Sequence, residues 1–217
     1  MILAVAGGKG GVGKSTVAFS LAGATDAVLV DADLGMADLP TGRGPDLHDV
    51  LAGRAEPSEA VRGGPVSIVP CGRSLAGARA ADVTRLAEVV TTLADEVGDV
   101  IVDCPAGLSA DVGVPLAVAD ACLLVASPRR FALADAIRTR ELARELDTGL
   151  VAVALNRCGE DPPTAAVRRA LGAPVVAVPA CDALRHSVAE GTPVDPGRSS
   201  PAADAVADLV AALDRCR

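Results

Sequence analysis

Gly8, Gly13, Lys14 and Ser15 stand at the spacing G-x-x-x-x-G-K-[ST], the pattern of a loop whose backbone N–H groups cradle phosphate oxygens. The same stretch satisfies G-x-G-x-x-G through Gly8, Gly10 and Gly13. That is the fingerprint of a dinucleotide turn, and Asp31 and Asp33 fall near the spacing of its ribose-binding acid. The glycines do not separate the two readings; Lys14 and Ser15 do. A dinucleotide turn holds its pyrophosphate with backbone N–H groups and a helix N-terminus, and has no need of an ammonium and a hydroxyl at those positions. A triphosphate with Mg²⁺ needs both, the ammonium for the β- and γ-oxygens and the hydroxyl for the metal. The four fixed positions arise by chance in roughly one chain in a hundred of this length. Context tightens the match: the chain has only two lysines, Lys9 and Lys14, both in this loop, against eighteen arginines elsewhere.

Carboxylates form the second constellation. Asp31 and Asp33 close the apolar run 27–30, and Asp103 closes the run 100–102 ahead of Pro105-Ala106-Gly107. Acids at the C-terminal ends of buried parallel strands stand where open sheets bind ligand. An apolar β run that ends in Asp is the form of strand that supplies a carboxylate to the water shell of Mg²⁺. No Glu or Gln follows Asp103 directly, so no base for water is offered there. His48 has no nucleophile or ligand at a useful spacing and reads as a surface histidine. The six cysteines are scattered without a C-x-x-C pair, which gives little support to zinc or iron–sulfur chemistry. They read as small buried apolar residues of a reducing compartment.

The elements that must position these residues alternate in kind. Apolar runs at 1–6, 27–30, 66–69, 100–102, 121–126, 150–155 and 175–178 read as strands. Helices are expected at 14–22, 46–53, 81–97, ending at 116–119, at 131–146 and at 202–216, with a loop at 71–80 that carries Arg73 and Arg79. Strands alternating with helices predict one doubly wound α/β domain over residues 1–217, with a mostly parallel sheet. The glycine loop then lies between a first strand and a first helix, the setting in which a loop can wrap phosphate.

Read as a continuous string, Gly8-Lys9-Gly10-Gly11-Val12-Gly13-Lys14-Ser15-Thr16 resembles the deviant phosphate loop K-G-G-x-G-K-[ST]-[ST] of the MinD/ParA family of ATPases. The string D-A-D-L-G-M from Asp31 is similar to that family's first switch, and D-C-P-A-G from Asp103 to its second, D-x-P-[AP]-G. L-N-R at 155–157 resembles its adenine-contacting element, P-A-C-D from Pro179 matches its I-P-E-D string in part, and Gly191 to Val194 resembles its G-x-P-V string. Arg129 departs, standing where family members commonly have an acid.

The resemblance implies ATP or ADP held by Gly10, Gly11, Val12, Gly13, Lys14, Ser15 and Thr16, with Asn156, Arg157 and Pro179 around the base. It implies Mg²⁺ held by Ser15, with Asp33 and Asp103 in the outer shell, and water oriented by Asp33 with Asp31 in support. Lys14 and Lys9 would stabilise the transferring phosphoryl group, Lys9 by reaching across an ATP-dependent homodimer. The implied role is a slow, partner-stimulated, cytoplasmic ATPase switch in spatial organisation, such as cell division or the positioning of cellular structures. The alternatives are a ParA-type DNA-partitioning ATPase, gripping backbone with the arginines of 129–144 and Arg168-Arg169, and an iron–sulfur carrier ATPase.

Composition narrows the partners. The formal net charge is −8, and twenty aspartates against eight glutamates give a strongly hydrated surface suited to a salt-loving, high-GC host. Acidity argues against broad nucleic-acid binding except through local arginine clusters. No run of eighteen uncharged apolar residues is present, so no membrane span is expected, and the opening strand has no basic leader, so no signal peptide is expected. Val206, Leu209, Val210 and Leu213 form a helical stripe, but Asp204, Asp208 and Asp214 flank it without lysine or aromatic residues. Packing onto the sheet, not strong intrinsic membrane binding, is the expectation.

Overall fold

A computed structural model describes residues 1–35, 39–40, 42–72, 74–107 and 110–216. Among the described residues, seven strands lie in one sheet in the order β3-β2-β4-β1-β5-β6-β7. They are β1 (Ile2–Ala6), β2 (Val28–Asp31), β3 (Ile68–Val69), β4 (Val100–Asp103), β5 (Ala121–Ala126), β6 (Gly149–Cys158) and β7 (Val175–Pro179). Every pairing between them is parallel. Successive strand residues point to opposite faces, and the core divides accordingly. Leu3, Val5, Leu29 and Ile101 join one apolar cluster, while Val28, Val30, Val100 and Val102 join another.

Helices cover both faces. On one, α1 (Lys14–Thr25) packs with α8 (Asp182–Glu190) and α9 (Pro201–Asp214), sharing Val17, Leu21, Leu184 and Leu209 in one cluster. On the other, α4 (Leu86–Val97) places Val89, Val90 and Leu93 against β2 and β4. There α5 (Ala110–Val118) and α6 (Arg130–Glu145) follow β4 and β5. The predicted stripe on α9 does bury Val206, Leu209 and Leu213, so the sheet already covers it. Among the described residues no helix is long and apolar enough to cross a membrane.

Several expected bounds change for local reasons. The stretch 71–80 is not a continuous loop: α3 (Leu75–Ala80) forms because the Ser74 hydroxyl accepts from Gly77 N–H at 2.9 Å. Arg73 of that stretch lies outside the described residues. The helix expected over 81–97 begins as a 3-10 turn at Val83–Arg85, where the Asp82 carboxylate takes both the backbone N–H and the hydroxyl of Thr84. Strand β3 is two residues long, cut short by the Gly63-Gly64-Pro65 break before it. Helix α7 (Thr164–Leu171) was not anticipated; it starts after Pro163 and stops at Gly172 in the left-handed conformation.

Candidate functional site

The carboxyl ends of the central strands bring the predicted residues to one edge. Strand β1 runs straight into the glycine loop, and α1 begins at Lys14. Gly13 caps α1 at φ 94° and offers no side-chain cap, so the first-turn N–H groups of α1 remain available to an anion. A Cβ on Gly13 would lie 2.1 Å from Asn156 Nδ2, and one on Gly8 would lie 2.3 Å from the Asp135 carbonyl oxygen. The loop is therefore seated against β6 and α6 so closely that side chains are excluded. Lys14 folds back over Gly7 and is only 7% exposed. Among the described residues no carboxylate pairs with it, so its buried charge calls for an anion from outside. Ser15 and Thr16 are half-buried beside it.

Asp31 and Asp103 are register partners at the ends of β2 and β4, and both are buried. Burial, then the neighbouring Asp103 charge, raises the Asp31 carboxyl to about 8. Its Oδ1 accepts from Asp33 N–H at 3.2 Å, while Oδ2 is buried without a hydrogen-bond partner. Asp33 itself is half-exposed on the turn that follows. Met36 and Asp38 of the same string lie outside the described residues.

These donors fit Mg²⁺: a hydroxyl and carboxylate oxygens are hard ligands, and an orphaned buried carboxylate oxygen is a site for a cation or its water. Among the described residues no three His, Cys, Asp or Glu side chains converge to hold a metal alone. The ion's other positions thus belong to water and phosphate, as is usual for Mg²⁺.

A cleft of about 330 Å³ opens beyond Thr16 between Asn156, Arg157, Pro179, Cys181 and Leu184. Asn156 is only 4% exposed. Its amide donates to the Val12 carbonyl at 2.8 Å and its Oδ1 accepts from Arg157 N–H at 2.9 Å. One N–H is thereby committed to bracing the phosphate loop, and one lone pair to the neighbouring Arg157 N–H. Arg157 sits in a β-bulge, with Asn156 opposite Val178 and Cys158 opposite Pro179, and takes φ 62°. An arginine in the left-handed region is uncommon and costs backbone energy, and here it turns the side chain out of the ladder toward the ligand edge.

A second pocket, about 160 Å³, lies on the outer side of the loop, lined by Lys9, Arg129 and Arg157. Lys9 and Arg129 are exposed. Three cations on an acidic chain, with no acid in the lining, make a site for negative charge. The sequence marks Arg129 as a departure and as one of the arginines of the DNA-binding alternative, but not as a neighbour of the loop, because nothing local says that the β5–α6 turn faces it.

Two expectations need correction. His48 is not a surface residue: it is 3% exposed, with Nε2 3.2 Å from the Leu34 carbonyl oxygen and 3.6 Å from Cys71 Sγ. No sequence spacing joins positions 48 and 71; the N–H groups of Leu47 and His48, donating to the Pro70 and Cys71 carbonyls, bring them together. Among the cysteines, Cys71, Cys104, Cys122 and Cys158 are buried as expected, but Cys181 is half-buried and Cys216 exposed. Burial pushes the Cys71 and Cys122 thiols up to about 12, so they are inert as nucleophiles. On α6, Arg138 pairs with Asp135 at 3.1 Å and Arg140 with Glu141.

Comparison with known proteins agrees with this geometry. Residues 3–194 match the CobQ/CobB/MinD/ParA nucleotide binding domain. An uncharacterized ATP-binding protein of Methanocaldococcus jannaschii is 39% identical over 174 residues, 74% of this chain and 66% of that relative. The crystal structure of the Pyrococcus furiosus cell division ATPase MinD is similar over 100% of this chain and 99% of its own, with 30% identity and TM-score 0.89. The septum site-determining protein MinD of Pyrococcus horikoshii, complexed with Mg-ADP, has 29% identity and TM-score 0.90 over 99% of this chain and 96% of its own. The glycine loop, the paired strand-end carboxylates and the sheet order lie within the matched segment, and the chain belongs to the CobQ/CobB/MinD/ParA family of nucleotide-binding domains.

Proposed function

We propose that the chain is a MinD-like ATPase that works as an ATP-dependent dimerising switch. The observation that carries the reading is Lys14, a buried lysine at the head of an uncapped helix, with no carboxylate partner among the described residues. A triphosphate supplies the missing anion, and Gly10 to Thr16 supply the N–H groups and hydroxyls around it. Asn156, Arg157 and Pro179 flank the base in the adjoining cleft. Ser15, with Asp33 and Asp103 through water, would hold Mg²⁺, which when bound neutralises the charge of the β- and γ-oxygens. Asp33, half-exposed at the turn, orients the attacking water. Lys14 stabilises charge on the transferring group from within the subunit.

Lys9 has a different task. It lines the outer pocket with Arg129 and Arg157. A flexible ammonium there suits a phosphate presented by a second copy of the chain. The paired arginines of α6 and the net charge of −8 weigh against the DNA-partitioning alternative. The protein partner or cargo is a separate macromolecule read by the dimer.

Titration calorimetry with ATP, ADP and NAD in the presence of Mg²⁺ tests the central assignment. ATP and ADP should bind, NAD should not, and Lys14→Ala should abolish nucleotide binding. Tight NAD binding with none for ATP would refute it.

A further inference from the structure

The turn that carries Asp33 is held from below. Cys71 Sγ–H donates to the Asp33 carbonyl oxygen at 3.0 Å, and His48 Nε2 meets the Leu34 carbonyl oxygen at 3.2 Å. A carbonyl only accepts, so this contact places the imidazole proton on Nε2. Two consecutive carbonyls of the turn are thus fixed by two side chains from different elements. These are α2 (Leu47–Leu51), which carries His48, and the segment just after β3, which carries Cys71.

The imidazole is itself wedged in place. A Cβ on Gly72 would come within 2.3 Å of His48 Nδ1, and one on Gly77 within 3.1 Å. The first-turn N–H groups of Leu47 and His48 donate to the carbonyls of Pro70 and Cys71 at 2.9 and 3.1 Å. The α2 N-terminus is closed by a capping box between Asp46 and Asp49. Nothing in this arrangement needs an imidazole for packing alone. His48 Nδ1 is buried without a partner, an unfavourable condition that leucine would avoid in the same space. What the imidazole has and leucine lacks is the hydrogen bond to Leu34.

We propose that His48, with Cys71, clamps the backbone of Asp33 and Leu34, and that His48 is a positioning residue for the Asp33 carboxylate. The inference rests on the reading of Asp33 as the residue that orients water. His48 touches neither nucleotide nor water; it fixes the turn from which Asp33 reaches them. Misplacement of a catalytic group by about 1 Å costs on the order of a hundredfold in rate. The penalty therefore falls on turnover and not on nucleotide affinity.

The test uses the full chain with Mg²⁺, single-turnover ATP hydrolysis and calorimetric ATP binding. His48→Ala should lower the hydrolysis rate by about 10- to 100-fold and leave ATP affinity within about threefold. His48→Gln, whose amide N–H falls near the position of Nε2, should recover a large part of the rate. Cys71→Ala should also slow turnover, and Cys71→Ser, whose hydroxyl can still donate to the Asp33 carbonyl, should restore it. This pair carries the test if His48→Ala does not fold. Equal rates in His48→Ala and His48→Gln, or loss of affinity at unchanged rate, would overturn the clamp. So would wild-type turnover in Cys71→Ala. Asp33→Asn is measured alongside. If it keeps wild-type turnover, the water-orienting role of Asp33 fails and the clamp with it. If it is inactive while His48→Ala is wild type, the clamp alone fails.

Discussion

Replacing Asp31 with asparagine should stabilise the nucleotide-free domain, and by more as the pH rises. Asp31 is fully buried at the end of β2, and burial together with the Asp103 charge raises its carboxyl to about 8, against an ordinary value near 3.9 in the unfolded chain. Between those values the native state holds a proton that the unfolded state has released. Stability from this group is therefore fully present below about pH 4 and is lost as pH rises toward 8, at about 1.4 kcal/mol per pH unit. Asparagine keeps an oxygen for the Asp33 N–H and has no proton to lose. The stability gap between variant and wild type should widen by about 2.5 kcal/mol between pH 5.5 and 7.5. Urea unfolding in Mg²⁺-free buffer at three pH values measures it, and groups common to both proteins cancel in the difference. Mg²⁺ with ATP should narrow the gap, because a dication beside the strand ends favours the ionised carboxylate that asparagine cannot supply. A gap that stays constant across the range would mean that Asp31 is already ionised in the native state, and the account of the two carboxylates would be wrong.

Gly13→Ala should destabilise the domain by about 1–3 kcal/mol and displace Asn156, because the new methyl meets Nδ2 at 2.1 Å in a left-handed backbone; thermal unfolding and ATP calorimetry read both effects. Lys9→Ala should bind ATP nearly as wild type yet stay monomeric. Light scattering at saturating ATP in an Asp33→Ala background checks this, and equal dimer content with and without Lys9 would remove its role across the interface. The free chain should not co-sediment with lipid vesicles, with or without ATP, since Val206, Leu209 and Leu213 are already buried; robust binding lost on deleting residues 202–217 would contradict this.

The parts of the site that sequence reveals are those whose chemistry is local. Glycine spacing, a lysine and a hydroxyl specify a phosphate loop because one strand, one turn and one helix build it. The acids Asp31 and Asp103 are legible because an apolar run ending in Asp marks the end of a buried strand. What stays hidden is what the strand order creates. Asn156 reaches Val12 across 144 positions, and its bracing of the loop follows from β6 lying two strands from β1. His48 and Cys71 meet because the first turn of α2 docks on the carbonyls that follow β3. The 3-10 start of the 81–97 helix and the unforeseen α7 are of another kind. Side-chain oxygens and prolines compete with regular structure there over two or three residues, a scale at which apolar periodicity carries no signal.

The sheet order also sorts charge along the ligand edge. Strands β2 and β4 lie on one side of β1 and carry Asp31, Asp33 and Asp103 at or just beyond their ends; β5 and β6 lie on the other side, with Arg129 on the turn after β5 and Arg157 next to the last residue of β6. The glycine loop leaves β1 between them, with Lys14 buried at its base and Lys9 exposed on the cationic side. A triphosphate carrying Mg²⁺ would match this polarity: Asp33 and Asp103 would serve the metal's water shell, and the N–H groups and Lys14 would meet phosphate oxygens. Before it binds, the edge relieves its own repulsion on the acidic side by keeping a proton on Asp31. On the cationic side Arg129 and Arg157 have no such relief, since arginine does not release a proton. Lys9, Arg129 and Arg157 face solvent together until an anion arrives. Under the proposed reading, one nucleotide seated over α1 would satisfy the acids through its metal and Lys14 through its phosphates. Lys9 and Arg129 would be left over, and under the proposed dimer the surface that would neutralise them is a second copy of the same phosphate-laden edge.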